Sequence, residues 1–379
     1  MGELRVGMLT LREKWERRLR STASYITQEY LQEKYPIHIA DVNLILNGGV
    51  LPTPELCRRI EALGLNEALL ANGELIAARL NGAQFESLIG EAEVDELQGQ
   101  ELEESIPLIQ ITSLWQLVKL NGQALKDDFL LVTTGRTSQA VSDTNRIIGP
   151  PEHLFLEEGV KMEHCTLNVS DGPIYIGTNT EVMEGSMLRG PIAIGSDSIV
   201  KMGAKIYGPS SFGPGCRVGG EVTRSIFFAN SNKAHDGYLG DSVLGEWCNL
   251  GADTNNSNLK NNYSEVKLWD YETERFEKTG QQFVGLIMGD HSKCAINTMF
   301  NTGTVIGVFA NIYGAGFARN FIPDFSWGGP EGYRTYKFAE ACETASIVMA
   351  RRGLVFDELE KAILYHIYDH TARFRTWDK

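Results

Sequence analysis

The chain has no run of about eighteen apolar residues, so no segment reads as a membrane span. Its N-terminus, MGELRVGMLTLREKWERRL, lacks an uninterrupted apolar stretch and a small-residue cleavage site, which argues against a secretory leader. The six cysteines, Cys57, Cys165, Cys216, Cys248, Cys294 and Cys342, include no close C-x-x-C pair. That spacing gives neither a zinc motif nor a dense disulfide framework, and a reducing, cytoplasmic setting is expected. Positive charge is also scarce: 35 Lys and Arg face 49 Asp and Glu, a net charge of −14 that disfavours nucleic acid as a partner. One small phosphate group is still compatible, because a few converging Lys, Arg and backbone N–H groups can hold it on an acidic protein.

Glycine, by contrast, is abundant. The 39 glycines of the 379 residues exceed the usual proportion of about 7% and crowd into residues 172–316. From Ile176 that segment divides into sixes: IGTNTE, VMEGSM, LRGPIA, IGSDSI, VKMGAK, IYGPSS, FGPGCR, VGGEVT. Ile, Val, Leu or Phe opens each hexad. The phase returns at Tyr238, Leu244 and Leu250 and again at Met288, Cys294, Phe300, Ile306 and Ile312. A period of six means three short strands per coil, one inward residue per strand, and Gly or polar residues at the corners. The expectation over 176–312 is a left-handed parallel β-helix; a sandwich would space its turns less regularly, at about 8–12 residues.

Two segments interrupt the repeat. Residues 223–237 lose strict hexads, and residues 259–285 alternate apolar and charged residues around Val266, Leu268, Trp269 and Tyr271, which predicts a hairpin leaving the solenoid. Ahead of the repeat the pattern predicts a helix over 11–33, a strand at 41–46, and a helix over 53–64 opened by TPEL. Strands near 67–72 and 74–80, a helix centred on 113–126, a strand FLLV at 129–132 and a polar linker over 134–154 complete an α/β layer. After the repeat, residues 330–379 read as helices with apolar stripes, suited to capping the solenoid's open end or packing between subunits. His366 and His370 stand four apart on one helical face but lack the acidic partner of a metalloprotease motif, and no metal site is assigned.

The densest polar constellation runs from Lys233 to Asn258, KAHDGYLGD followed by WCNLGADTNNSN. His235 lies where the chain re-enters regular coils, a position that can be rigid and solvent-facing, as a general base requires. Asn249, Asn255, Asn256 and Asn258 offer amide groups, with Asn255 and Asn256 expected to be structural corner residues. Gly251 and Ala252 leave room for close approach.

The stretch KAHDGYLGD…CNLGADT…N resembles the acetyltransferase part of the bifunctional N-acetylglucosamine-1-phosphate uridyltransferase and glucosamine-1-phosphate acetyltransferase family, in a divergent bacterial branch. It also resembles related sugar-1-phosphate nucleotidyltransferases with β-helical tails. The resemblance implies His235 as the catalytic base for a sugar amine, Tyr238 and Asn249 as sugar-binding, Asn258 at the acyl transfer site, and Ala252 beside the acetyl-CoA thioester. A family lysine that holds the sugar phosphate aligns with Thr223, leaving Arg224 as its candidate substitute, and an upstream arginine falls near Lys205.

More faintly, RVGMLTLREKWERRL and NLILNGGVLPTPEL resemble the nucleotidyltransferase part. A Gly-rich G-x-G-T-R loop is missing ahead of LREKWE, and Gly49 stands where a metal-binding aspartate is expected, so this half reads as truncated or degenerate. Mg²⁺ with UTP or dTTP is implied only if it is active. The resulting expectation is an α/β nucleotidyltransferase-like domain over 1–150, a β-helical acyltransferase-like domain over 151–328 and a helical tail over 329–379. Its substrates would be an amino-sugar phosphate or a sugar-1-phosphate, and its assembly a homotrimer. Two alternatives are a nucleotidyltransferase with a β-helical oligomerisation tail and a non-catalytic trimeric scaffold.

Overall fold

A computed structural model describes residues 1–90 and 97–378. They form two compact units, one of residues 1–4, 9–90 and 97–112, the other of residues 5–8 and 113–378.

The smaller unit is an α/β layer. Its four-stranded sheet runs in the order Val42–Leu46, Glu74–Asn81, Glu67–Ala71, Gln98–Glu101; the first two pairings are antiparallel and the last is parallel. Trp15, Val50, Leu56, Ile60, Leu69 and Ile76 form its core. The indole of Trp15 stays satisfied there by donating to the Val50 carbonyl at 3.0 Å. Thr53 caps the helix Pro54–Glu61, accepting from the Leu56 amide, with proline at the first helical position where no N–H is needed. The helix expected over 11–33 spans only Leu11–Leu19. Arg20 turns left-handed at φ 52° and closes it by donating to the Glu16 carbonyl.

In the larger unit, one helix runs through Leu114–Thr133, so FLLV is its last turn rather than a strand. Leu117, Asn121, Ala124, Leu125, Asp128, Phe129 and Val132 are its buried residues, a three-and-four spacing that a short apolar run cannot reveal. Its buried Asn121 accepts from the Gly7 amide at 2.7 Å and from the Ser211 hydroxyl at 2.8 Å. This helix therefore ties residues 5–8 and the solenoid together through the Asn121 side-chain carbonyl oxygen, while the buried Nδ2 of Asn121 has no hydrogen-bond partner among the described residues.

The solenoid itself is a parallel β-helix with three faces. The first face stacks nine strands from Leu154–Leu156 to Phe321–Ile322. The second runs from Lys161–Met162 to Ser326–Gly329, closed by the antiparallel Gly332–Thr335. The third runs from Arg146–Ile148 to Tyr238–Gly240, with Asn255–Asn256 and Met299–Phe300 paired beyond it. Strands thus begin inside the stretch expected to be a linker, whose Gln139 and Asn145 bond to the first coil. Ile174, Ile192 and Ser210 pair in register at eighteen-residue steps. All eight hexad openers from Ile176 to Val218 are buried in one column.

Around Val218 one coil tightens, Ser211 pairing with Ile226 after fifteen residues, and the next takes seventeen, Ile226 pairing with Val243. Here one expectation shifts: Leu239, not Tyr238, points inward, because side chains alternate along a strand. Residues 259–285 do leave as a hairpin, Lys267–Asp270 against Arg275–Lys278. At the corner between the first and second faces, left-handed residues change from Asn179, Asp197 and Asn230 to Trp247, His291, Phe309 and Phe325. The last four rings stack at 6.1, 4.6 and 5.5 Å. Against Phe309 and Phe325 pack Ala341, Ala345 and Leu364 of the helices Phe338–Ala350 and Glu358–His370, so the tail lies alongside the last coils.

Candidate active site on the third face and its corner

Lys205, Glu221 and Tyr238 pair in register on successive coils of the third face. The Lys205 ammonium is 4.0 Å from Glu221, which also accepts from the Tyr207 hydroxyl at 2.5 Å. Burial and then that carboxylate push the Tyr207 phenol up to about 12. At the adjoining corner, Arg224 and Asp241 both take left-handed backbone, at φ 42° and 50°. Arg224 donates Nε to Asp241 Oδ1 at 2.7 Å and Nη2 to Oδ2 at 2.8 Å, a two-pronged charge-assisted pair. The Arg224 guanidinium also lies 5.4 Å from the Phe283 ring centroid.

Asn258 joins this pair to Tyr238. Its Nδ2 donates to the Tyr238 hydroxyl at 2.9 Å and to Asp241 Oδ2 at 2.6 Å. Burial first, and then Asp241, raise the Tyr238 pKa, so the phenol stays protonated at neutral pH. Gly240 makes the arrangement possible: a Cβ there would lie 2.8 Å from Asn258 Nδ2 and closer still to the Tyr238 hydroxyl. Asn255 accepts from the Tyr238 amide at 2.8 Å. Asn256 points into the solenoid, accepting from the Gly240 amide at 2.9 Å and donating to its carbonyl at 3.1 Å. Both are engaged in hydrogen bonds within the solenoid, but on a strand paired with Met299–Phe300 rather than in a corner as expected.

His235 sits at the corner between the second-face strand Asn232–Lys233 and the third-face strand Tyr238–Gly240. It is exposed, and its imidazole makes no hydrogen bond among the described residues. Ala252 occupies the corresponding corner one coil on, where the Asp253 amide donates to the Asp236 carbonyl at 3.0 Å. Asn249 is on the second face, outside the Tyr238 network. It pairs in register with Asn232, whose Nδ2 donates to its Oδ1 at 3.3 Å. Arg352 of the tail donates to Asn232 Oδ1 at 3.2 Å and to the Gly215 carbonyl at 2.9 Å.

The structure thus joins Tyr238, Asn258 and Arg224 into one network, stacks Lys205 two coils above Tyr238, and sets His235 between that face and Asn249. Asp241, Glu221, Tyr207, Phe283 and Lys233 take part without having been singled out. Lys233 was legible, standing six residues after Phe227 and six before Leu239. Asp241 lay within the LGD motif, but nothing in one sequence pairs it with Arg224. Elsewhere in this unit, Trp269, Phe321, Tyr333, Phe374 and Trp377 line a cavity of about 220 Å³ that contains none of these residues. In the smaller unit, Gly49 accommodates the Ile111 carbonyl 3.0 Å from where a Cβ would be. Among the described residues, no three His, Cys, Asp or Glu side chains converge to hold a metal ion.

Residues 1–137 match the sugar nucleotidyl transferase family. Over 87 residues the chain is 37% identical to the bifunctional protein GlmU of Methanocaldococcus jannaschii, covering 23% of this chain and 21% of that one. Over 93 residues it is 36% identical to a bifunctional sugar-1-phosphate nucleotidylyltransferase/acetyltransferase of Sulfurisphaera tokodaii, covering 24% and 23%. The matches span less than a quarter of the length of these relatives. Among solved structures, LpxA of Bacteroides fragilis, a UDP-N-acetylglucosamine acyltransferase, is similar at 14% identity and a TM-score of 0.33, covering 62% of this chain and 84% of that one.

Proposed function

We propose that the solenoid unit transfers the acetyl group of acetyl-CoA to the amine of an amino-sugar-1-phosphate, in the cytoplasm, as part of sugar-nucleotide synthesis. The observation that carries this reading is the exposed His235 on a corner beside the hydrogen-bonded set Tyr238, Asn258, Asp241 and Arg224. His235 takes the amine proton, the role of a general base, as the new C–N bond forms and the thioester C–S bond breaks, coenzyme A leaving as a thiolate that takes up a proton. Tyr238 and Asn258 present a hydroxyl and an amide to the sugar, and Asn249 approaches from the other side of the corner. Arg224 and Lys205 supply positive charge for the phosphate; both Asp241-facing nitrogens of Arg224 are engaged, which leaves Nη1 as its donor. The small side chain of Ala252 next to His235 fits the approach of the acetyl-CoA thioester, which supplies the activated acyl group.

The His235 ridge is open, as expected if a neighbouring copy completes the slot in a homotrimer. A monomeric mass in solution would count against this site. The direct test is acetyl-CoA turnover with glucosamine-1-phosphate and other amino-sugar phosphates, wild type against His235→Ala. The variant should lose at least about a hundredfold in kcat; equal turnover removes His235 from the reaction.

The family match over residues 1–137 favours a second activity, nucleotidyl transfer to a sugar-1-phosphate. Gly49 and the absence of a converging acidic group among the described residues do not fit a Mg²⁺ and UTP or dTTP site. Pyrophosphate release from UTP or dTTP with a sugar-1-phosphate is the measurement that would restore that activity.

A further inference from the structure

The inward positions of the second face are apolar on both sides of one exception, with Val200 and Val218 before it and Leu250 and Cys294 after it. Val218 pairs in register with Lys233, and Phe227, Leu239, Leu244 and Leu250 are its buried neighbours along the column. Lys233 itself is fully buried. A lysine at this rung gives up packing that Leu or Met would supply and places an ammonium where water cannot reach, so it needs compensating acceptors.

Those acceptors are all main-chain carbonyls of one corner. Lys233 Nζ donates to the carbonyls of His235 and Asp236, the latter at 3.1 Å, and reaches the Gly219 carbonyl of the preceding coil at 3.5 Å. Among the described residues no carboxylate pairs with it, so its three donors are directed at the backbone on either side of His235. The same corner is pressed against its neighbours without side chains between. A Cβ on Gly220 would lie 2.7 Å from the His235 carbonyl, and Gly237, at φ 113°, packs on Thr254. The His235 imidazole has no hydrogen bond among the described residues, and the corner backbone sets the direction in which its Cα–Cβ bond leaves the chain.

We infer that Lys233 is a positioning residue for His235, an interior ammonium that pins the corner carbonyls and thereby holds the imidazole outward in one orientation. The inference rests on the proposed acetyl transfer for its catalytic consequence, but its structural content stands without it. The lowered Lys233 pKa, caused first by burial, agrees with a group held by carbonyls rather than by a countercharge.

The test compares Lys233→Met with Lys233→Gln and wild type. In Lys233→Met an apolar chain of similar length enters an apolar column, so the melting temperature should stay equal or rise. Amide hydrogen exchange at residues 234–237 should accelerate at least tenfold. The kcat for acetyl transfer should fall at least tenfold, with KM for the amino-sugar phosphate changed less than twofold. Lys233→Gln keeps one donor pair and should lie between the two in exchange and kcat. It also serves if the methionine variant does not fold. Corner exchange and turnover at wild-type values in a folded variant overturn the inference, because the lysine would then only fill space. If wild type shows no acetyl transfer, the proposed function falls, while the exchange measurement still decides whether Lys233 holds the corner.

Discussion

Asp241→Asn isolates the charge at the centre of the third-face network. The substitution keeps the shape and tolerates left-handed backbone, which Asp241 adopts at φ 50°. The Asp241 side chain is 4% exposed and that of Arg224 is 37% exposed. Removing one partner of a fully buried ion pair costs about 3–5 kcal/mol, and exposed pairs contribute about 0–1 kcal/mol. Arg224 can turn partly to water, which places this pair between those limits, at about 2 kcal/mol. Asn258 limits the loss further: with its amide turned over, Oδ1 can accept from both the Tyr238 hydroxyl and the amide that replaces the Asp241 carboxylate. A net destabilisation of about 1–2 kcal/mol follows, or roughly 4 °C in melting temperature for a unit of this size. The discriminating assay is a double-mutant cycle with Arg224→Met in urea unfolding. A coupling energy of about 1–2 kcal/mol is expected; additivity within about 0.3 kcal/mol would show that the pair contributes nothing and would falsify the account of this corner.

Burial pushes the Lys233 amine down to about 8 from its ordinary value near 10.5, against the opposing pull of Asp236, Cys294 and Asp253. The destabilisation is therefore fully present below about pH 8 and is relieved between about pH 8 and 10.5, where the folded state has released a proton that the unfolded chain keeps. Relative to Lys233→Met, wild type should gain on the order of 1–3 kcal/mol across that window, read by parallel urea titrations; a constant difference refutes the shift. Gly240→Ala should break the Tyr238–Asn258 hydrogen bond and reduce acetyl transfer at least tenfold, with a melting temperature lowered by only a few degrees. Unchanged turnover would show the bond to be dispensable. Burial pushes the Cys57 thiol up to about 11 and that of Cys216 to about 12, and also raises those of Cys165, Cys248 and Cys294. Burial raises the Cys342 thiol as well, but it alone is only half-buried, so in the native protein it should react first with a thiol-disulfide reagent, all six doing so in denaturant. Arg352→Ala should accelerate amide exchange at the end of the helix Phe338–Ala350, since its bonds to Gly215 and Asn232 hold that end to the second face; unaltered exchange there would show the contact to be incidental.

The hexad column from Ile176 to Val218 was legible in one sequence because a three-faced coil repeats its inward position every six residues, whatever surrounds it. The hairpin over 267–278 was equally plain, as an alternating segment that breaks the period, and His235 stood out by its place at the earlier break. Other features depend on pairs of residues that no local pattern connects. FLLV reads as a strand until the helix from Leu114 is seen to bury Phe129 and Val132 on the same side as Leu117. Arg224 reads as a free phosphate ligand until the next coil brings Asp241 within 2.7 Å. Tyr238 and Asn258 are twenty residues apart in the chain and 2.9 Å apart in space, a distance set by coil length and by the missing side chain of Gly240. The sequence alone determined the period, and with it which residues face inward from Ile176 to Val218; the tertiary structure decided the inward residues beyond the break and which outward residues meet, because register between coils follows from corner lengths that shrink the coil from eighteen residues to fifteen just before the site.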